Sequence, residues 1–327
     1  LGPMAYPELF GPPTREGQAT TPDGARLAWQ VFGHPRRGWP TIVCSNGLGC
    51  STFFWHYLAH YFSTHTQVLI WDYRGHGDSS APRDLQRELT MEQCADDLAT
   101  VLKDAGVERG VFIGHSMGVQ VILETYRRHR HLVAGLAPLL GTYGKAIETF
   151  FNTNLIAKVF PAVFHVATRV PWPIQAVTRL AARSSLTLPL ASLTGMVNGS
   201  MFSPRDIKPY MENLAALDLR VFMNMARNVG RHTTEDILHS IHVPVLVMGG
   251  EKDVYTPLWL SKQMQQRIPN SELLIIPAGS HGALVEQPEL INLRLEKFVR
   301  ERVMGHRDGE TPSARALEES STDRFES

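Results

Sequence analysis

A repeated alternation along the chain leaves few folds open to it. Short apolar runs bounded by glycine or proline are separated by stretches whose apolar residues recur at helical spacing. Residues 25–32, 41–45, 67–71, 110–113, 132–136, 243–248 and 272–276 read as strands, most of them short β-branched runs suited to burial on both faces. Residues 91–105 read as a helix, with Cys94, Leu98, Val101 and Leu102 on one face and Thr90 placed to cap it. Further helices are expected over 117–130, over 257–267, where Pro257 suits a first turn, and over 284–302. Strands alternating with helices predict an α/β fold, a mostly parallel twisted sheet flanked by helices.

Residues 142–237 break the rhythm. They hold Phe150, Phe151, Phe160, Phe164, Trp172 and Phe202 among many alanines and leucines, punctuated by Pro161, Pro171 and Pro173. Several short helices and no strand are expected there. Because the segment falls between two sheet strands, it is expected to fold over the end of the sheet as a helical lid, with most of its apolar residues forming its own core. The expected core is then 17–141 together with 238–304. Residues 1–16 form an extension in which Leu1-Gly2-Pro3 resemble an expression remnant before Met4. The tail 305–327, rich in Ser, Glu, Asp and Arg, is expected to be disordered.

Among the 327 residues, 32 Lys and Arg balance 32 Asp and Glu, so net charge gives no case for a nucleic-acid or anionic-membrane partner. A surface patch would have to come from arrangement. No apolar stretch is long enough for a transmembrane helix, and no basic patch with an apolar core marks a signal peptide. A cytoplasmic enzyme of undetermined oligomeric state is expected. The three cysteines, Cys44, Cys50 and Cys94, argue against a disulfide framework and show no zinc spacing. A redox role for Cys50 is the lesser reading beside packing.

Gly114-His115-Ser116-Met117-Gly118 follows an apolar strand and precedes a helix, the context a nucleophile elbow requires. The pattern alone arises by accident in about one chain in ten of this length, so its setting carries the weight. Small residues at 114 and 118 let backbones approach closely, and the turn lifts the Ser116 hydroxyl to the positive end of the following helix. A serine hydroxyl needs a base within hydrogen-bond reach and a third group that fixes the base's tautomer. Hydrolases built on such an elbow carry these in the order serine, acid, histidine. Asp253, in Gly249-Gly250-Glu251-Lys252-Asp253, and His281, in Gly279-Ser280-His281-Gly282, both follow strands, in the loops where open α/β sheets place their sites.

Competing readings exist for each residue. Asp253 could merely cap the following helix, Glu251 is the alternative acid, and His281 could be an ordinary loop residue. His115 points away from an elbow and is expected to be structural. His56 and His60 stand four apart as metal ligands can, but Tyr57 occupies the position of a metalloprotease glutamate, so no metal is expected. An acyl-transfer site also needs oxyanion donors. The Met117 N–H is one, and the Leu48 N–H in Ser45-Asn46-Gly47-Leu48-Gly49 is the other candidate, against the reading of an ordinary glycine turn.

Together these residues resemble the α/β-hydrolase superfamily over about residues 17–304, in particular its serine esterase, lipase and lactone-hydrolase members with a helical lid. Asn46-Gly47-Leu48-Gly49 is similar to the family's His-Gly-x-Gly oxyanion loop with asparagine in place of histidine, as in enol-lactone hydrolases. Asp72-Tyr73-Arg74-Gly75-His76-Gly77-Asp78-Ser79 is similar to a structural turn of the family. The resemblance implies a Ser116-His281-Asp253 mechanism without a cofactor, acting on a small-molecule ester or lipid-like substrate with a hydrophobic part. The alternatives are a carbon–carbon hydrolase or a cofactor-free perhydrolase using the same triad, and a non-enzymatic receptor on the same fold.

Overall fold

The computed structural model describes residues 11–153, 155–181, 189, 192–201 and 204–305. Residues 1–10, Phe202 and all of the expected tail except Gly305 lie outside the described residues. Eight strands form one sheet: β1 Arg15–Thr20, β2 Arg26–Phe32, β3 Thr41–Ser45, β4 Val68–Trp71, β5 Gly110–His115, β6 Val133–Leu139, β7 Val245–Gly250 and β8 Ser271–Ile276. Their order is β1-β2-β4-β3-β5-β6-β7-β8. β2 runs antiparallel to β1 and β4, and every other pairing is parallel.

The helices are α1 His56–Phe62, α2 Met91–Asp104, α3 Met117–Arg128, α4 Ala146–Thr149, α5 Leu155–Arg169, α6 Pro171–Ala181, α7 Pro204–Ala216, α8 Leu219–Arg231, α9 Leu258–Arg267, α10 Ala283–Glu286 and α11 Pro288–Phe298. Every residue of β3, β4, β5 and β7 is buried, which is why these strands are apolar runs without alternation. On one face of the sheet Leu98 and Val101 of α2 and Val121 and Ile122 of α3 pack onto Val43 and Phe112. On the other, Trp55, Phe62, Leu295 and Phe298 pack onto Ile42, Ile70 and Ile113. Thr90 caps α2, its hydroxyl accepting from the Gln93 N–H at 3.2 Å.

Two expectations are corrected. β1 was not foreseen: its sequence, Arg-Glu-Gly-Gln-Ala-Thr, buries only Ala19 at the sheet edge, so it carries no apolar period. The single helix expected over 284–302 is broken. It divides into α10 and α11 at Gln287, followed by a π turn, Val299–Val303. Pro288 has no N–H for the preceding turn and starts the new helix instead. Between β6 and β7 lie helices α4 to α8, with an isolated bridge between Gly144 and Thr233 rather than a named strand among the described residues.

Candidate active site

β3 and β5 are neighbours at the point where strand order reverses, and the loops leaving their carboxyl ends meet there. The turn from β5 into α3 puts Ser116 at φ 55° and ψ −115°, a region costly for any residue with a Cβ. Close packing holds it. A Cβ on Gly114 would lie 2.2 Å from the Gly118 carbonyl oxygen, and one on Gly118 would lie 2.1 Å from that of Ser45. The Gly-x-Ser-x-Gly spacing is therefore a packing requirement between α3, β5 and β3.

His281 bridges two side chains. Its Nδ1 lies 2.9 Å from Asp253 Oδ2 and its Nε2 lies 2.9 Å from Ser116 Oγ. A carboxylate can only accept, so Nδ1 carries the proton and Nε2 is free to accept from the hydroxyl. Asp253 is buried, and burial by itself would raise its pKa. The His281 ring and the donors around it outweigh this, and the pKa lies below the ordinary carboxylate value. Oδ1 accepts from the Tyr255 and Thr256 N–H groups, both at 2.9 Å, and Oδ2 from the Thr256 hydroxyl at 2.7 Å. Asp253 thus organises the turn before α9 and faces the imidazole at once. Glu251 turns elsewhere, accepting from the Ala278 N–H at 2.9 Å.

The loop after β3 packs against the turn from β5 into α3. A Cβ on Gly47 would lie 2.8 Å from His115 Nδ1 and 3.3 Å from Ser116 Cβ, so the residue before Leu48 packs against the turn that carries Ser116. Gly49 adopts φ 72°, which a glycine takes without strain. Asn46 faces inward: its Nδ2 donates to the Trp71 carbonyl at 2.8 Å and its Oδ1 accepts from Trp55 Nε1 at 2.6 Å. Met117 opens α3, where backbone N–H groups lack intrahelical partners.

The other singled-out residues lie outside the hydrogen-bond chain from Asp253 to Ser116. His115 Nε2 donates to the His281 carbonyl at 3.0 Å, and burial, with the nearby His281, lowers its pKa to about 3. His56 pairs at 3.2 Å with Asp206 of α7, while His60 is exposed. Burial pushes the Cys50 thiol up to about 12, which removes its thiolate near neutrality. Arg74 is enclosed by Asp97, Asp23 and Glu88, which locks the turn after β4.

One residue escaped the sequence reading. Glu286 accepts from the Asn198 N–H at 2.6 Å, the Ser280 N–H at 3.1 Å and the Ser280 hydroxyl. It ties the segment before α7 to the loop carrying His281. Its place at the end of a short helix gave no periodic signal. The Tyr255 ring lies 5.2 Å from the His281 ring, tilted by 37°, and Phe150 and Phe151 pack at 5.5 and 5.2 Å from Tyr255.

A family model described as alpha/beta hydrolase family matches residues 42–292. The chain is similar to a protein from Caulobacter sp. strain K31 named as carbamate hydrolase RutD, 27% identical over 86% of this chain and 98% of that protein. It is also similar to 3-oxoadipate enol-lactonase 1 of Acinetobacter baylyi, 27% identical over 83% of this chain and 91% of that one. Among solved structures, an esterase from Thermogutta terrifontis superposes with a TM-score of 0.68 at 21% identity, covering 88% of this chain and 99% of that one. With the family model spanning most of the chain and the sheet carrying the same architecture, the protein belongs to the alpha/beta hydrolase family.

Proposed function

We propose that this hydrolase cleaves carboxylic esters or lactones through Ser116, His281 and Asp253 and a covalent acyl-enzyme. The observation that carries this reading is the unbroken hydrogen-bond chain from Asp253 Oδ2 through both nitrogens of His281 to Ser116 Oγ. Ser116 Oγ attacks the substrate carbonyl as its proton passes to His281 Nε2. The Leu48 and Met117 N–H groups hold the resulting oxyanion, and Asp253 stabilises the imidazolium. His281 then gives its proton to the leaving alkoxide. In the second half it takes a proton from water, whose oxygen attacks the acyl carbon, and returns that proton to Ser116 as the acid departs.

Residues 142–237 serve as the lid in this reading, and 17–141 with 238–304 as the core. Asn213 of α7 donates to the Gly49 carbonyl at 2.7 Å, and a Cβ on Gly49 would come within 3.3 Å of Leu214 and Phe222. Helices α7 and α8 thus close over the oxyanion loop with apolar side chains, which favours a substrate with a hydrophobic acyl or alcohol part. Carbamate cleavage is the second reading, favoured by the relatives named as carbamate hydrolases, since the same triad attacks a carbamoyl carbon.

Purified protein assayed against matched p-nitrophenyl esters, lactones and carbamates tests this. Ester or lactone turnover that Ser116→Ala abolishes, with the melting temperature unchanged, is the expected result. Turnover surviving Ser116→Ala overturns the triad, and a higher kcat/KM for carbamates replaces the ester reading with the second one.

A further inference from the structure

Helix α5 divides into three sectors when its residues are set about 100° apart. The first, with Phe160, Phe164 and Ala167, turns toward the protein; Ala167 is buried and Arg227 of α8 lies over the Phe164 ring at 4.6 Å. The second holds Leu155, Val159, Val163, Val166 and Val170 within an arc of about 80°, and all five are exposed, Val166 by 57%. The third is one flank of that stripe, where Lys158, His165 and Arg169 fall together, also exposed. Helix α6, which follows directly, carries two further exposed apolar side chains, Trp172, 72% exposed, and Leu180, 75% exposed. Exposed Arg179 lies between them in sequence.

A run of exposed apolar side chains along one helix face marks an interaction site. Charge says which. The chain as a whole is balanced, yet α5 and α6 contain no Asp or Glu and carry Lys158, Arg169 and Arg179. A second copy laid on this face would set α5 and α6, which hold no Asp or Glu, against themselves, like charge facing like. An anionic phospholipid surface satisfies both halves: the apolar stripe enters the acyl boundary, and the basic side chains reach the phosphates.

We propose that the exposed face of α5 and α6 docks this enzyme peripherally on anionic phospholipid membranes. The arrangement supplies the attraction that net charge does not, and no described helix is long and apolar enough to cross a membrane. This goes beyond the catalytic reading and does not depend on it.

Co-sedimentation with phosphatidylcholine vesicles, and with vesicles of equal parts phosphatidylcholine and phosphatidylglycerol, tests the proposal. The full chain should sediment with the mixed vesicles and far less with the neutral ones, and added salt should weaken it. A Val166→Asp, Trp172→Asp double variant should partition at least tenfold more weakly. Lys158→Gln and Arg169→Gln should each weaken partitioning about fivefold, on the anionic vesicles alone. Ser116→Ala should bind as the unaltered protein does, which separates this result from the fate of the triad. Failure to sediment with the anionic vesicles overturns the proposal, as does undiminished binding by either set of variants. A dimer in sedimentation velocity that the double variant dissociates overturns it too, by assigning the face to a second copy.

Discussion

The His115 Nε2–H donates to the main-chain carbonyl of His281 at 3.0 Å, so the residue before the proposed nucleophile holds the backbone of the proposed base. A carbonyl can only accept, which fixes the proton on Nε2. Nδ1 is then a buried acceptor without a partner among the described residues. Burial, with the nearby His281, keeps the ring neutral, with a pKa lowered from 6.5 to about 3.

That depression has a consequence for stability. As pH falls below 6.5 the unfolded chain protonates residue 115 while the folded protein does not, so the stability held above that pH is progressively lost toward pH 3. The slope is about 1.4 kcal/mol per pH unit. His76, lowered by burial to about 4, acts in the same direction, and Asp72, raised by burial to about 6, acts oppositely. Comparison with a variant therefore isolates residue 115. Urea unfolding of His115→Gln, which keeps a donor for the carbonyl, should show a shallower loss of stability between pH 6 and pH 5. A pH dependence identical to the unaltered protein would refute the assignment.

Asp253→Asn should preserve the fold and disable the proposed base. Asparagine can still accept from the Thr256 N–H, but it no longer carries the charge that stabilises a His281 imidazolium. kcat on a soluble ester should fall by about 10³–10⁴, with KM little changed. Glu251→Gln, removed from the ring, should keep near-normal kcat. A large loss in Glu251→Gln with a small one in Asp253→Asn would exchange the two roles.

Gly118→Ala should damage the elbow. Its new methyl group would meet the Ser45 carbonyl oxygen at 2.1 Å, a backbone atom that cannot rotate aside. The cost should be about 1–3 kcal/mol or more of stability, read by urea unfolding, because overpacking forces the backbone apart. A variant as stable as the unaltered protein would show that α3 and β3 are looser than this contact implies.

Glu286→Ala should loosen the histidine loop. It leaves the Asn198 and Ser280 N–H groups without their acceptor, each costing about 1–3 kcal/mol if it stays buried. Glu286→Gln retains one acceptor oxygen and should recover part of both stability and kcat. Equal stability of Glu286→Ala and the unaltered protein would dismiss the clasp.

Much of this was legible along the chain because local rules produced it. Strands β3, β4, β5 and β7 are buried on both faces and therefore read as apolar runs, and the glycines at 114 and 118 report a close approach that forbids a Cβ. Strand β1 was not legible, because an edge strand that buries one side chain in six has no period to detect. Nor was the role of Glu286, whose partners lie 88 and 6 residues away in sequence and converge only when α10 packs under the loop at Asn198.

The alternation of strand and helix, the strained turn at Ser116, and the order in which an acid and a histidine follow it are written into neighbouring residues, since each depends on periodicity or on turn chemistry within a few positions. Tertiary structure decided which carboxylate faces the imidazole. Asp253 and Glu251 are two residues apart in one turn, and only the packing of β7 beside β8 aims one at His281 and the other at Ala278. It decided too that the valines of α5 face outward. A helical period tells which residues share a face, but whether that face meets protein, lipid or water depends on neighbours distant in the chain.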